Sequence, residues 1–488
     1  MVSGNRQGQG GGRGFEYEQV GSDYMDQRQL KSGAAGWLLL AGLGVAYVIS
    51  GDFAGWNFGL AEGGWGGLLI ATILMATMYT AMVFGLAELA SALPVAGAGY
   101  GFARRALGPL GGFATGTAIL IEYAIAPAAI VCFIGGYVEA LGLFGLTSGW
   151  PIYLACYAIF VGVHLYGVGE ALKLTFLITG IAVAALIVFV VAMVPKFRFD
   201  NLLTIAPTDA AGASDFLPFG YAGVLAAFVY GIWFFLAIEG VPLAAEESRD
   251  PKKDMPRGII AAMMFLLVAA ALILFTAPGG SSSDVISESD NPLPLALREA
   301  YGEGTWLADF VNYVGLAGLV ASFFSIIFAY SRQLFALSRA GYLPRWMSKT
   351  GSRKTPYLAL VIPALIGFLL AAITEDGALL INIAVFGATV SYVLMMVSHI
   401  VLRRREPDLV RPYRTPGGIV TTSVALVLAA AAVVATFFVD EKAAGITAAI
   451  FVAALAYFWF YSRHHLVASA PEEEFAAIGR AEAELKGG

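Results

Sequence analysis

The sequence predicts an all-α membrane protein with about twelve transmembrane helices, arranged as two inverted repeats of five helices with two helices appended. Three observations lead to this fold class. The 488 residues are 58% hydrophobic and only 13% charged, whereas soluble domains carry about 25% charged residues. The apolar residues fall into long consecutive runs without a soluble-looking block between them. Two of these runs are interrupted at positions that lie five helices apart.

Each apolar run is read as one span, because a helix needs about 20 mainly apolar residues to cross the hydrocarbon core of a bilayer. The spans are numbered in chain order and keep these numbers below. Spans 1 to 6 are predicted over 35–61, 66–93, 110–145, 151–168, 170–195 and 221–245. Spans 7 to 12 are predicted over 258–278, 305–340, 356–373, 378–402, 418–438 and 444–463.

The distribution of basic residues orients these spans. If the N-terminus is cytoplasmic, all but four of the 29 Lys and Arg residues lie on the cytoplasmic side. The four exceptions are Lys196, Arg198, Arg298 and Lys442. The reverse orientation would violate the positive-inside rule throughout. We therefore expect both termini to be cytoplasmic.

Composition also divides the chain. The first 33 residues are Gly-rich and polar, and they lack the apolar core that a cleaved signal needs. We expect a disordered cytoplasmic tail over 1–33, a transmembrane transporter domain over 34–465 and a cytoplasmic C-terminal tail over 466–488.

Spans 1 and 6 contain residues that interrupt a helix. Gly and Pro are unfavourable in helix interiors, because of backbone entropy and the missing N–H of Pro. Interrupted spans at corresponding positions of two halves are the strongest sequence indication of a transporter's binding site. The interrupting residues are Gly51, Asp52 and Gly55 in span 1, and Glu239, Gly240 and Pro242 in span 6.

Four ordered motifs resemble those of the amino acid–polyamine–organocation transporters. They are FGLAELASALPVAGAGYGFARRALGP (84–109), EESRDPKKDMPRG (246–258), SRQLFALSRAGYLPRW (331–346) and RRREPDLVRPYRTPGG (403–418). The resemblance covers nearly the whole chain outside the two tails. It implies the leucine-transporter fold, in agreement with the inverted repeat inferred from the two broken spans.

Within that superfamily, two segments look most like bacterial ethanolamine permeases: GVAYVISGDFAGWNFGLAEGGWGG (44–67) and GTAILIEYAIAPAA (116–129). This resemblance implies a secondary transporter of the bacterial inner membrane that imports ethanolamine or a similar small cationic amine. A co-transported proton is a possible partner, and neither a cofactor nor nucleic acid is expected. The alternatives are an amino-acid or polyamine permease or exchanger of the same superfamily, or a non-transporting amine sensor on the same fold.

The sequence departs from the amino-acid members of the superfamily in span 1. Those members usually have a G-x-G turn followed by an apolar residue, and its free amides hold the substrate carboxylate. The matching positions here read Ile49-Ser50-Gly51-Asp52-Phe53, so the first glycine is absent and an acid follows the second. A carboxylate beside Asp52 would be repelled and an ammonium attracted, which favours an amine without a carboxylate.

Three acidic residues lie at the interruptions of spans 1 and 6 or in the middle of span 3. Ionisable residues inside a membrane are costly and are functional candidates by default. Asp52 is predicted to bind the ammonium group of the substrate, with a structural cap of a short half-helix as the alternative. Glu122 is predicted to contact the substrate or to couple protons, with a buried structural carboxyl group as the alternative. Glu239 matches a glutamate common in the superfamily, so it is read as a gate, a helix cap or a direct contact.

Aromatic side chains beside the breaks can cage an alkylammonium through their ring faces. In relatives, the aromatic residue at the position of Trp233 or Phe235 covers the occupied site, although aromatic residues here can equally serve packing. The complete predicted substrate site is Ser50, Gly51, Asp52, Phe53, Glu122, Tyr123, Trp233, Phe235, Ala237 and Glu239.

Other kinds of site are not indicated. There is no Walker sequence, which argues against an ATP-driven pump, and the four His residues are not spaced as metal ligands. Some relatives carry a lysine in span 5 in place of a sodium ion, but the matching position is at or near Ala182. Ser322 and Ser325 are candidate sodium ligands, with a purely structural role as the alternative.

Overall fold

The structure is a computed structural model that describes residues 14–21, 23–28, 33, 35–95, 97–142, 145–166, 168–471 and 473. Ten of the described helices are long and apolar enough to cross a membrane. The shorter apolar helices Trp37–Phe53 and Trp150–Tyr166 occupy the places of spans 1 and 4. The twelve predicted spans therefore all correspond to apolar helices, and the predicted all-α membrane fold is confirmed.

The observed helices have the following bounds. Spans 1 to 5 are Trp37–Val48 with Ser50–Phe53, Phe58–Ala92, Gly99–Ala140, Trp150–Tyr166 and Val168–Met193. Span 6 consists of Gly220–Ala226, Phe228–Trp233 and the 3₁₀ segment Ile238–Glu247. Spans 7 to 12 are Pro251–Gly280, Trp306–Arg339, Tyr357–Thr374, Gly377–Arg405, Ile419–Val439 and Glu441–Phe460.

The short elements lie between or after the spans. The short helices are Asp23–Asp26, Ser283–Ile286 and Pro292–Tyr301, and the two-residue strands are Tyr17–Glu18 and Leu466–Val467. Single 3₁₀ turns occur at Val194–Lys196, Phe199–Leu203, Arg345–Ser348 and Ser462–His464.

The predicted starts of spans 2 and 3 were too late, because each helix continues across a glycine kink. Span 2 begins at Phe58 and bends at Gly64, whose φ is +66°. Span 3 begins at Gly99 and bends at Gly108, whose φ is +84°, just before Pro109. Only glycine adopts such left-handed backbone readily. In each case the kink separates a first helical segment from the apolar run that defined the prediction.

Both breaks lie in the centre of the bundle. Span 1 packs against spans 5, 7 and 8, and span 6 packs against span 2. Span 3 runs along spans 8 and 10. Spans 11 and 12 contact this core from outside, span 11 through spans 2, 6 and 10 and span 12 through spans 3 and 10. The broken segments are therefore surrounded by other helices, as non-helical backbone at membrane depth requires.

Part of the predicted N-terminal tail packs onto the bundle. Tyr17–Glu18 pairs in parallel with Leu466–Val467, and the Tyr24 hydroxyl donates a 2.7 Å hydrogen bond to the carbonyl of Arg339. We call this end of the bundle the terminal face. The predicted tail residues 1–13 and 474–488 lie outside the described residues, and the boundaries at 33/34 and 465/466 remain predictions.

Candidate functional site

The two broken spans meet at their interruptions. After the short helix Ser50–Phe53 the backbone is extended at Ala54 and left-handed at Gly55, where φ is +95°. A Cβ on Gly51 would lie 2.5 Å from the carbonyl oxygen of Trp233. Glycine is therefore required at position 51 by the close approach of the span 6 backbone. The indole N–H of Trp233 closes the contact with a 2.9 Å bond to the carbonyl of Ala54.

Span 6 changes direction at Ala237. This residue has φ +77° and ψ +5°, and the 3₁₀ segment Ile238–Glu247 begins directly after it. A non-glycine residue in left-handed backbone costs about 1–2 kcal/mol. Such strain is concentrated at functional sites, where the surrounding structure maintains it. Sequence reasoning located this break through Gly240 and Pro242, whereas the strained residue itself is Ala237.

A carboxyl group from span 6 lies within a set of tyrosines. The Glu239 carboxylate accepts a 2.9 Å bond from the Tyr123 hydroxyl and a 3.1 Å bond from the Tyr392 hydroxyl. Tyr392 in turn shares a 2.8 Å hydrogen bond with Tyr79. Tyr79 and Tyr392 were not predicted as site residues. Both are single tyrosines in apolar spans, and nothing in the sequence distinguishes them from the other tyrosines of the chain.

Glu122 lies next to this group. Its side chain is fully buried, and its carboxyl group has the Glu239 carboxyl as its hydrogen-bonding neighbour and makes no other described hydrogen bond. Glu239 is its electrostatic neighbour. Two adjacent buried carboxylates cannot both be charged without a compensating cation, since burial of an unpaired charge costs several kcal/mol. The pair must therefore carry a proton or receive a cation.

Asp52 is separate from the two glutamates. It is fully buried, and neither of its carboxylate oxygens accepts a hydrogen bond from the described residues. It therefore does not cap the backbone there, which was the structural alternative for this residue. No described hydrogen bond or ion pair joins Asp52 to Glu122 or Glu239, so the predicted acidic residues form one pair and one isolated carboxyl group.

The remaining predicted site residues lie close to these groups. Ser50 donates a 2.8 Å bond to the Ser322 hydroxyl, which itself donates to the carbonyl of Tyr47 at 2.6 Å. Phe53 packs on span 8 against Gly315 and Gly318. Phe235 packs on the ring of Tyr79, with 5.5 Å between the ring centroids.

The candidate sodium ligands make bonds within the protein. The Ser322 hydroxyl joins spans 1 and 8 through its hydrogen bonds to Ser50 and Tyr47. The Ser325 hydroxyl donates a 2.6 Å hydrogen bond to the carbonyl of Ala321 in its own helix. Ala182 is buried at the adjacent contact between spans 5 and 8, since a Cβ on Gly318 would lie 3.2 Å from the Cβ of Ala182. This apolar contact lies at or near the position that the resemblance assigns to the span 5 lysine of some relatives.

Basic residues are concentrated towards the terminal face. Arg332 of span 8 binds Glu247 at 2.7 Å with both side chains about 1% exposed, and Arg339 binds Glu246 at 2.8 Å. These pairs join span 8 to the end of span 6. Among the described residues, no Lys, Arg or His side chain forms an ion pair with Asp52, Glu122 or Glu239.

Glu88, near the end of span 2, joins distant segments of the bundle through its carboxylate. Its carboxylate binds Arg403 at 2.5 Å and Arg411 at 2.9 Å, and it accepts a 2.7 Å bond from the amide of Thr415. Glu88 therefore joins span 2 to the end of span 10 and to the segment before span 11. Its charge is fully compensated, unlike that of the site carboxyl groups.

Comparison with known proteins identifies the family. Residues 37–466 match the family model described as amino acid permease. An uncharacterized transporter of Rhizobium meliloti (strain 1021) is 29% identical, with 75% of this chain and 78% of that protein aligned. A branched-chain amino acid permease of Bacillus subtilis (strain 168) is 28% identical over 80% of this chain and 84% of its own length. A methylthioribose transporter of the same organism is 25% identical over 78% of this chain and 82% of its own length.

The family match extends over all twelve spans. The comparisons confirm the predicted resemblance at the level of the superfamily, and they support a secondary transporter of small organic molecules. The chain belongs to the amino acid permease family of multi-pass membrane transporters.

Proposed function

We propose that this permease imports a small cationic amine, with ethanolamine as the favoured substrate, by alternating access at the breaks of spans 1 and 6. The observation that carries this proposal is the set of buried carboxyl groups of Asp52, Glu122 and Glu239 without a basic partner among the described residues. A primary ammonium has one positive charge and three donors. It therefore suits carboxylates surrounded by tyrosine hydroxyls.

An amino-acid substrate is the second candidate, because one relative is a branched-chain amino acid permease. An amino acid would need free donors for its carboxylate in the span 1 break. The amides of Asp52, Ala54 and Gly55 instead bond the carbonyl of Ile49, the carbonyl of Ser50 and the side chain of Asn57. These bonds, together with the adjacent Asp52, favour an amine that lacks a carboxylate.

The pair Glu122–Glu239 supports a co-transported proton. One ammonium neutralises only one carboxylate, so the second requires a proton or another cation to avoid a buried charge. In this scheme the pair carries one proton together with the substrate. The scheme predicts that outside acidity accelerates uptake, and that Glu122→Gln reduces this pH dependence.

Flux measurements test the substrate. The purified permease is reconstituted in liposomes, and uptake of labelled ethanolamine is measured with unlabelled ethanolamine, serine, leucine or putrescine as competitor. The proposal expects strong competition only from ethanolamine and similar small amines. Uptake of labelled leucine without ethanolamine uptake would identify an amino-acid permease, and binding without any flux would identify a sensor.

We further propose a bacterial inner-membrane location with the terminal face in the cytoplasm, which is supported by the excess of Lys and Arg on that side. Labelling by a membrane-impermeant maleimide tests this in a variant without Cys132 and Cys156. Intact cells should label a Lys196→Cys variant, whereas Arg404→Cys should label only after lysis. The opposite pattern would reverse the topology.

A further inference from the structure

A cavity lies on the outer surface of the bundle where spans 1 and 7 meet near the terminal face. Its volume is about 510 Å³, within the usual range for small-molecule sites. It is separate from the central breaks. We call it the Arg257 groove, and its lining residues are Trp37, Pro256, Arg257, Ile260, Ala261 and Tyr413.

The groove lies at the boundary between the membrane and water. Span 7 has 30 residues and is therefore about 45 Å long, whereas the hydrocarbon core is about 30 Å thick. Arg257 is the last charged residue of span 7 before an uncharged run that ends at Asp284. Trp37 begins span 1 and is 44% exposed, as is typical of the aromatic residues at a membrane interface.

After Arg257, span 7 has an apolar outer surface. Ile260 and Ala261 line the groove, and Met264 and Val268 are 55% and 58% exposed. These residues follow Arg257 at helical spacing, so they form one stripe on the outside of the bundle. A ligand of the groove can therefore have an apolar part that extends along span 7 into the hydrocarbon core.

The polar groups of the groove are donors. Arg257 is exposed and makes no hydrogen bond or ion pair within the described part of the chain. The Tyr413 phenol also lines the groove, and burial raises its pKa, so the hydroxyl keeps its proton at neutral pH. The indole of Trp37 is a donor only. No carboxylate lines the groove, and its polar groups therefore suit an anion.

We propose that the Arg257 groove binds an acidic phospholipid, with the phosphate on the guanidinium of Arg257 and one acyl chain along Ile260, Ala261, Met264 and Val268. The apolar lining favours a lipid over a soluble phosphate ester. The uncompensated arginine favours an acidic headgroup over a zwitterionic one, because basic groups at the ends of spans attract anionic lipids. This proposal is independent of the transported substrate.

Binding to the purified, detergent-solubilised chain tests the proposal. Dioleoyl phosphatidylglycerol and dioleoyl phosphatidylcholine are titrated separately, and bound lipid is counted by native mass spectrometry. Arg257→Gln should weaken phosphatidylglycerol binding about fivefold, which corresponds to ~1 kcal/mol, and leave phosphatidylcholine binding unchanged. Arg257→Lys should retain most of the preference.

The matched control is Arg404→Gln, which removes one exposed charge from the end of span 10. It should bind phosphatidylglycerol as the unmodified protein does, and thermal unfolding in phosphatidylcholine verifies that both variants fold. If both variants lose phosphatidylglycerol binding equally, only the overall charge of the protein matters and the proposal fails. If Arg257→Gln binds phosphatidylglycerol as tightly as the unmodified protein, the groove is not the lipid site. Glycerol 3-phosphate is the soluble probe: if it competes with phosphatidylglycerol at equal concentration, the ligand is a soluble anion and the lipid proposal fails.

Discussion

The substitution Glu122→Gln tests the central charge argument most directly. The Glu122 carboxyl is fully buried, and its hydrogen-bonding neighbour among the described side chains is the Glu239 carboxyl, to which a glutamine amide can still donate. The substitution removes one ionisable carboxyl group at nearly constant volume. We therefore expect weaker binding of ethanolamine without a loss of folding stability.

The magnitude follows from the contact that the ammonium would lose. A hydrogen bond to a charged group contributes about 1.5–3 kcal/mol, and each ~1.4 kcal/mol is a factor of ten in affinity. Glu122→Gln should thus raise the dissociation constant of ethanolamine by about ten- to a hundredfold. Because the carboxyl groups of Glu239 and Asp52 remain in the site, binding should be weakened rather than abolished.

The assay is isothermal titration of the purified variant with ethanolamine, together with thermal unfolding in the same detergent. Glu139→Gln is the matched control, since it makes the same change in the same helix at an exposed position whose carboxylate accepts a bond from the amide of Ser148. The control should bind ethanolamine normally. If Glu122→Gln folds normally and its affinity for ethanolamine is unchanged, Glu122 has no role in substrate binding. The same measurement on Asp52→Asn would decide the role of Asp52.

Three further predictions concern substrate, driving force and stability. Serine and glycine should compete at least tenfold less well than ethanolamine, and displacement of labelled ethanolamine by equimolar serine would refute the repulsion of carboxylates by Asp52. An inside-negative potential of 100 mV contributes about 2.3 kcal/mol per charge, so without sodium it should raise accumulation roughly fiftyfold for the ammonium alone and more steeply when a proton enters with it. Uptake that ignores voltage and requires internal amine would indicate an exchanger. Glu247→Gln should destabilise the protein by about 3–5 kcal/mol, because it leaves Arg332 buried without its partner. Lys253→Gln, which affects an exposed pair with Asp250, should change the unfolding temperature little.

The fold could be predicted because the membrane limits the choice of structure. Twelve apolar runs can only be helices in lipid, and the breaks were visible as Gly, Pro and acidic residues within those runs. The errors occurred where local backbone geometry decides the boundary. Gly64 and Gly108 bend spans 2 and 3 without ending them, so the predicted starts fell close to each kink.

The candidate site was less predictable, since it depends on contacts between distant residues. Sequence reasoning identified Glu122 and Glu239 separately, but it did not predict that they are neighbours. It also did not identify Tyr392 of span 10, which donates a hydrogen bond to Glu239, or Tyr79 of span 2, which shares a hydrogen bond with Tyr392. A tyrosine in an apolar helix carries no periodic or charge signal, and only the packing of four spans brings these groups together.

Span 6 links the candidate site to the terminal face. The 3₁₀ segment Ile238–Glu247 carries Glu239 at one end and the buried partner of Arg332 at the other. At about 2.0 Å per residue these two glutamates are about 16 Å apart along the segment. The segment therefore connects the candidate site directly to the buried ion pair that joins spans 6 and 8. The strained backbone at Ala237 lies directly before this segment, so it separates the helical part of span 6 from the part that carries both glutamates.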